Sequence, residues 1–119
     1  MEKEKTCKIV FSDIDGTLLT SDGQITEGTK EMILNLEKKG IPFILTSARS
    51  PEGVRVIKRM LGNHAPIIAF CGGLILDDDG NEIYSKMIPL KRALELKAML
   101  DKDFPAVACN TFGGEKWIV

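Results

Sequence analysis

No apolar run in this sequence of 119 residues approaches the ~20 that a helix needs to span a bilayer. The N-terminus, MEKEKTCKIVF, mixes charges ahead of a short apolar stretch, so neither membrane insertion nor export is implied. An excess of either charge is also missing. Sixteen Lys and Arg stand against 17 Asp and Glu, a formal net charge of -1, and without a basic field nucleic acid and acidic membrane are poor partners. Cysteine is scarce: Cys7, Cys71 and Cys109 are odd in number, far apart and without a C-x-x-C pair, and only His64 is available to help a zinc site. Reduced thiols in a cytoplasmic protein fit best. Internal repeats and low-complexity segments are absent. What remains, 44% hydrophobic and 28% charged, is the composition of one soluble globular domain with one core.

Ile9-Val10-Phe11 reads as a buried strand that delivers Ser-Asp-Ile-Asp-Gly-Thr at its carboxyl end. Leu18 to Ile25 brackets the turn signature Ser21-Asp22-Gly23 and predicts a small hairpin or flap. A helix follows, with Thr26 as N-cap, Met32, Ile33 and Leu36 on one face, and Lys38-Lys39-Gly40 as its stop. Phe43-Ile44-Leu45 repeats the first pattern, ending in Thr46-Ser47-Ala48-Arg49-Ser50. Ser50 as N-cap, Pro51 at the first helical position, the stripe Val54, Ile57 and Leu61, and Gly62 as stop predict a second helix. Ile67-Ile68-Ala69-Phe70 is a third strand, ending in Cys71-Gly72-Gly73. Alternating strands and helices predict an α/β fold with a parallel sheet, whose ligands sit beyond the carboxyl ends of its strands. Leu74-Ile75-Leu76 and Glu82-Ile83-Tyr84 then form a hairpin. A helix from Leu90 to about Asp103 and strands at Ala106-Val107-Ala108 and Trp117-Ile118-Val119 open a second unit near residue 88.

Asp13 and Asp15 flank Ile14, and an extended strand would point both carboxylates the same way. Such a pair suits metal-assisted attack, with one carboxylate as nucleophile and Mg²⁺ ligand and the other exchanging a proton with the leaving group. Gly16 permits a tight turn whose amide groups can approach a phosphate, and Thr17 can tie that turn by hydrogen bonding. An ordinary acidic turn after a strand is the competing reading, since short motifs recur by chance. Arg49 is either a phosphate contact or a solvated group at a helix N-terminus. Asp77-Asp78-Asp79-Gly80 lacks the spaced ligands and distal Glu of a calcium loop and reads as a solvated turn. His64 reads as a loop residue, and Cys7 and Cys109 as small core residues.

The stretch Val10-Phe11-Ser12-Asp13-Ile14-Asp15-Gly16-Thr17-Leu18-Leu19 resembles the signature of the haloacid dehalogenase (HAD) superfamily. Leu45-Thr46-Ser47-Ala48-Arg49 resembles its second motif in the form taken by the Cof-type sugar-phosphate phosphatases, whose Thr-Gly-Arg stands here as Ser47-Ala48-Arg49. Phe70-Cys71-Gly72-Gly73 resembles their Asn-Gly-Ala stretch, with Cys71 in place of asparagine. The resemblance runs from about Lys8 to Val119. It implies a HAD-like Rossmannoid parallel sheet over residues 1-88, followed over 89-119 by the start of a type-2 α/β cap. It also implies a Mg²⁺-dependent phosphate-monoester hydrolase acting on a small cytosolic metabolite such as a sugar phosphate. In that family pattern Asp13 forms an aspartyl-phosphate, Asp15 acts as acid then base, and Ser47 hydrogen-bonds the transferring phosphoryl group. Mg²⁺ would be held by Asp13 and the Asp15 carbonyl.

The family's lysine and distal acidic motif have no counterpart here and would lie past Val119, so the sequence reads as the N-terminal part of such an enzyme. With strands in the order 1-2-3, two right-handed crossovers place both helices on one face of the sheet. The chain alone is then expected to associate through the uncovered face or edge, or to be marginally stable. Two other readings compete: a non-catalytic fragment that binds metal or phosphate, and a signalling receiver domain. A receiver would place its acceptor Asp at the end of the third strand, where this chain has Phe70-Cys71-Gly72-Gly73.

Overall fold

Strands β1 (Val10–Asp13), β2 (Phe43–Thr46) and β3 (Ile67–Ala69) pair in parallel, with Val10 opposite Phe43 and Leu45 opposite Ile67. Strands β4 (Leu74–Leu76) and β5 (Glu82–Ser85) continue the same sheet antiparallel, in the order β1-β2-β3-β4-β5. The computed structural model describes residues 6–118, which divide into two units, one ending at Ser85 and the other beginning at Lys86. The α/β architecture expected from alternating strands and helices is present in the first. Pairing of Asp13 with Thr46 carries β1 into the acidic motif, beyond its apolar run.

Helices α1 (Glu27–Lys38) and α2 (Pro51–Leu61) connect the parallel strands. Thr26 caps α1 by accepting a hydrogen bond from the Thr29 amide. Ser50 caps α2 by accepting from Gly53 N at 3.3 Å, Pro51 needs no amide partner at the first position, and Gly62 ends the helix at φ +79°. Replacing Ser50 with Ala leaves the Gly53 amide without its partner. It should lower stability by about 1 kcal/mol in urea denaturation, and an unchanged midpoint would show that water caps this helix equally well.

The core lies on one face of the sheet. Phe43, Leu45, Ile67, Ala69, Leu74 and Leu76 pack there with Ile33 of α1 and with Val54, Ile57 and Leu61 of α2. Two right-handed crossovers bring both helices to that side. The alternate positions Phe11, Ile44, Ile68, Ile75 and Tyr84 belong to the other face, where Ile44 is buried, Ile68 and Ile75 are half-buried, and the flanking Phe11 and Tyr84 are 57% and 50% exposed. Strand β1 forms one edge of this sheet among the described residues.

Several local expectations differ from the structure. Met32 does not share the buried face of α1: it is exposed, Ile33 is buried and Leu36, between the two around the helix, is partly buried, because the buried face is centred near Ile33, about 100° around the helix from Met32. The segment after Leu18 closes on itself through Thr20 and Gln24 but forms no strand ladder. Cys7 is exposed and Cys109 half-buried, so neither is a core residue.

The second unit contains α3 (Leu90–Asp103) and a hairpin of β6 (Thr111–Gly113) and β7 (Lys116–Ile118), with the Phe112 and Trp117 rings stacked at 6.2 Å. Ala106-Val107-Ala108 is not a strand. Val107 N donates to Phe104 O in a turn, and the left-handed Gly114 instead folds the following residues into the hairpin. Val119, the last residue of the expected final strand, lies outside the described residues. No described helix is long and apolar enough to cross a membrane.

Candidate active site

Beyond β1 the chain coils at once. The Ile14 carbonyl accepts from the amides of Thr17, Leu18 and Leu19 at 3.4, 3.0 and 3.2 Å, while the Ile14 side chain is fully buried. Gly16 adopts φ +74°, a left-handed conformation that a glycine takes without strain. The two carboxylates are therefore not placed by strand alternation, as an extended Asp13-Ile14-Asp15 would require. Asp13 ends the strand, Asp15 enters the turn, and both are exposed on either side of the buried Ile14 anchor. Thr17 is exposed and ties the turn through its main-chain amide.

Asp13 Oδ1 accepts from the Ile14 amide at 2.9 Å, which fixes one end of the carboxylate. Across the ladder from Asp13 is Thr46, and Ser47 follows it. Ser47 is almost fully buried and tied on both sides, its amide donating to Ile68 O and its carbonyl accepting from Cys71 N, each at 3.0 Å. Its Oγ accepts from the Arg49 amide at 3.1 Å.

The side chain of Arg49 crosses to the first loop. Its Nε and Nη2 donate to Asp15 Oδ2 and Oδ1 at 2.9 and 2.6 Å, a two-pronged pair between residues far apart in sequence. Hydrogen bonding to the Arg49 guanidinium holds the Asp15 carboxyl below the usual carboxylate range against the opposing effect of burial, with the guanidinium's charge adding to the lowering. For a carboxyl lowered in the folded state, the associated stability is present above the ordinary pKa and is lost as pH falls through the lowered one. Both side chains meet solvent, so this contribution is screened.

A third loop buttresses the second. Phe70–Gly72 form a 3₁₀ turn in which Phe70 and Cys71 take φ +50° and +56°. Non-glycine residues adopt such angles only when surrounding contacts enforce them. Here the Phe70 amide donates to Arg49 O at 2.9 Å and the Cys71 amide to Ser47 O. The sequence drew attention to Cys71 for its side chain, whereas the structure uses its main chain. The contribution of Gly53 was also not evident: a Cβ there would lie 3.1 Å from Arg49 Cβ, so the glycine makes room for the arginine.

Other sequence candidates fall elsewhere. His64 precedes the amino end of β3, opposite the loops just described, and its ring lies 3.2 Å from Asp78, which also pairs with Lys58. Asp77 accepts from the amides of Asp79 and Asn81 within its own turn, as a solvated turn requires. Among the described residues no three His, Cys, Asp or Glu side chains cluster to hold a metal.

An acidic pair at the end of the first parallel strand, with a hydroxyl and a guanidinium after the second, lies at the strand ends where α/β folds place their ligands. Residues 10–119 match the haloacid dehalogenase-like hydrolases, and the chain belongs to that family. A Haemophilus influenzae protein whose name assigns it provisionally to the phosphatases is 40% identical over 105 residues, which cover 88% of this chain and 40% of that protein. The phosphoglycolate phosphatase of Thermoplasma volcanium is 36% identical over 74 residues, 62% of this chain and 33% of the relative. Among solved structures, a haloacid dehalogenase-like hydrolase from Bacillus subtilis superposes with a TM-score of 0.72 at 27% identity, covering 81% of this chain and 34% of that one. A Geobacillus kaustophilus protein superposes with a TM-score of 0.78 at 25% identity, covering 94% and 42%. The chain thus spans about two fifths of the length of the first of these relatives.

Proposed function

We propose that this chain forms the nucleophile-bearing part of a Mg²⁺-dependent phosphatase that acts through an aspartyl-phosphate on a small phosphorylated metabolite such as a sugar phosphate. The observation that carries the reading is Asp13: an exposed carboxylate at the end of a parallel strand, with Oδ1 held by the Ile14 amide and Ser47 following its ladder partner Thr46. A carboxylate fixed at one oxygen presents the other to a phosphorus atom.

In the first step an Asp13 oxygen bonds to phosphorus, the bond from phosphorus to the leaving-group oxygen breaks, and Asp15, protonated from solvent once it has parted from Arg49, gives that oxygen the proton. In the second, Asp15 takes a proton from water, the water oxygen bonds to phosphorus, and the bond to Asp13 breaks. This releases inorganic phosphate and restores the Asp13 carboxylate. Ser47 donates a hydrogen bond to the phosphoryl group, Arg49 contacts it, and the turn at Gly16 and Thr17 brings main-chain amides towards it.

The donors suit Mg²⁺, which prefers oxygen and commonly takes one or two carboxylates with water and substrate phosphate. Asp13 would contribute a carboxylate oxygen and Asp15 its main-chain carbonyl, and the bound ion would offset charge on the phosphoryl oxygens. A cytoplasmic location belongs to the same reading, as does self-association through the face bearing Phe11 and Tyr84 or the edge of β1.

Assay of the enzyme of which these residues form part against a panel of phosphate monoesters, with and without Mg²⁺, tests the proposal; no Mg²⁺-dependent release of phosphate from any of them would overturn it. Ser47→Ala should lower turnover by about 10-fold to 1000-fold, as loss of one preorganised donor does elsewhere. An unchanged rate would confine Ser47 to its structural bond with the Arg49 amide.

A further inference from the structure

The Arg49 guanidinium is engaged with a carboxylate that the hydrolytic reading needs free. Its Nε and Nη2 take one oxygen each of Asp15, and Nη1 donates to Gly53 O at a longer 3.4 Å. The main chain of Arg49 is locked, because its amide donates to Ser47 Oγ and its carbonyl accepts from Phe70 N. Its side chain is not. It is 34% exposed, its partner is 59% exposed, and Gly53 leaves open the space beside its Cβ and Cδ. An ion pair this open to water is held weakly. The fork of donors that fits a carboxylate also fits a phosphoryl group, which brings more negative charge and more acceptor oxygens. A phosphoryl group bound at Asp13 would therefore be a second anion for a fork that Asp15 now fills.

Resting on the phosphatase reading above, we propose that Arg49 is an exchangeable clamp, for which the Asp15 carboxylate and the substrate's phosphoryl group compete. Arrival of the phosphoryl group turns the Arg49 side chain about a fixed backbone and releases Asp15 to face the leaving group. Arg49 then acts both as a phosphate contact and as the residue that positions Asp15, so that Asp15 is freed only when a phosphoryl group is present.

Competition of this kind has a signature in binding that simple phosphate contact lacks. Affinity for inorganic phosphate in the presence of Mg²⁺ would be measured by calorimetry on the enzyme of which these residues form part, unsubstituted and as Arg49→Ala, Asp15→Asn and the double variant, with circular dichroism to verify folding. Arg49→Ala should weaken binding roughly 10-fold, and Asp15→Asn should tighten it roughly 5-fold by removing the competitor. In the Arg49→Ala background the same Asp15→Asn change should have little effect. Equal tightening in both backgrounds would reduce Asp15 to a general repulsion of phosphate and overturn the exchange, as would no tightening in either. Arg49→Lys keeps the charge and loses the fork; full affinity in that variant would also overturn the clamp, and it replaces Arg49→Ala in the cycle should the latter not fold. A folded, unsubstituted protein that binds no phosphate would instead overturn the phosphatase reading, and the exchange with it.

Discussion

In the enzyme of which these residues form part, Asp13→Asn is expected to abolish Mg²⁺-dependent phosphatase turnover, a loss on the order of 10⁴-fold or more, comparable with removal of a nucleophile from other covalent catalysts. An amide oxygen neither attacks phosphorus effectively nor offers a metal an anionic ligand. The substitution is well suited to isolating chemistry from folding. Asn has almost the same shape, its carbonyl oxygen can still accept from the Ile14 amide, and position 13 is exposed. Stability should therefore change by no more than about 0.5 kcal/mol, as for surface substitutions away from structural features. A phosphoryl mimic such as beryllium fluoride should attach to an Asp13 oxygen in the unsubstituted protein and not in the variant. Attachment elsewhere, or full activity of the variant, would refute the assignment of the nucleophile.

The elements that were legible in the sequence are those whose signals are local. Ser50, Pro51 and Gly62 mark α2 at both ends because capping and left-handed stops depend on single residues. The parallel strands were legible as short apolar runs flanked by turn residues. Pairing then extended β1 through Ser12 to Asp13, and β2 to Thr46, into their polar motifs. What the sequence obscured was set by contacts between distant residues. Nothing in the spacing of Asp15 and Arg49 announces an ion pair, and the alternatives of phosphate contact and solvated arginine both omitted it. The left-handed Phe70 and Cys71 were equally hidden, since no local preference favours that conformation for either; it is enforced by hydrogen bonds to the loop after β2. Placement of the later strand at Ala106–Ala108 failed for a related reason. Apolar content indicated a strand, but the glycine turn at Gly114 decided which residues pair.

Leu45→Ala and Phe11→Ala should differ sharply in cost although the residues belong to adjacent paired strands. Leu45 pairs with Ile67, faces α1 and α2, and is 1% exposed within the continuous core. Truncating it removes buried methyl groups and leaves a cavity that close-packed neighbours refill only in part, so a loss of about 2–5 kcal/mol is expected. That is a large share of the ~5–15 kcal/mol that a typical domain possesses, and it should produce a large shift in the urea midpoint. Phe11 is the larger side chain, yet it lies on the opposite face and is 57% exposed. Its ring already meets water in the folded chain, so truncation sacrifices little burial and should cost about 1 kcal/mol or less. The contrast tests which face of the sheet holds the fold together. Should Phe11→Ala cost as much as Leu45→Ala, the ring must be covered in solution. Light scattering would then identify the cover: a fall from dimer to monomer on Phe11→Ala would assign it to a second copy of the chain, whereas a monomer in both forms would place the Phe11 ring in an intramolecular contact and overturn the one-faced core.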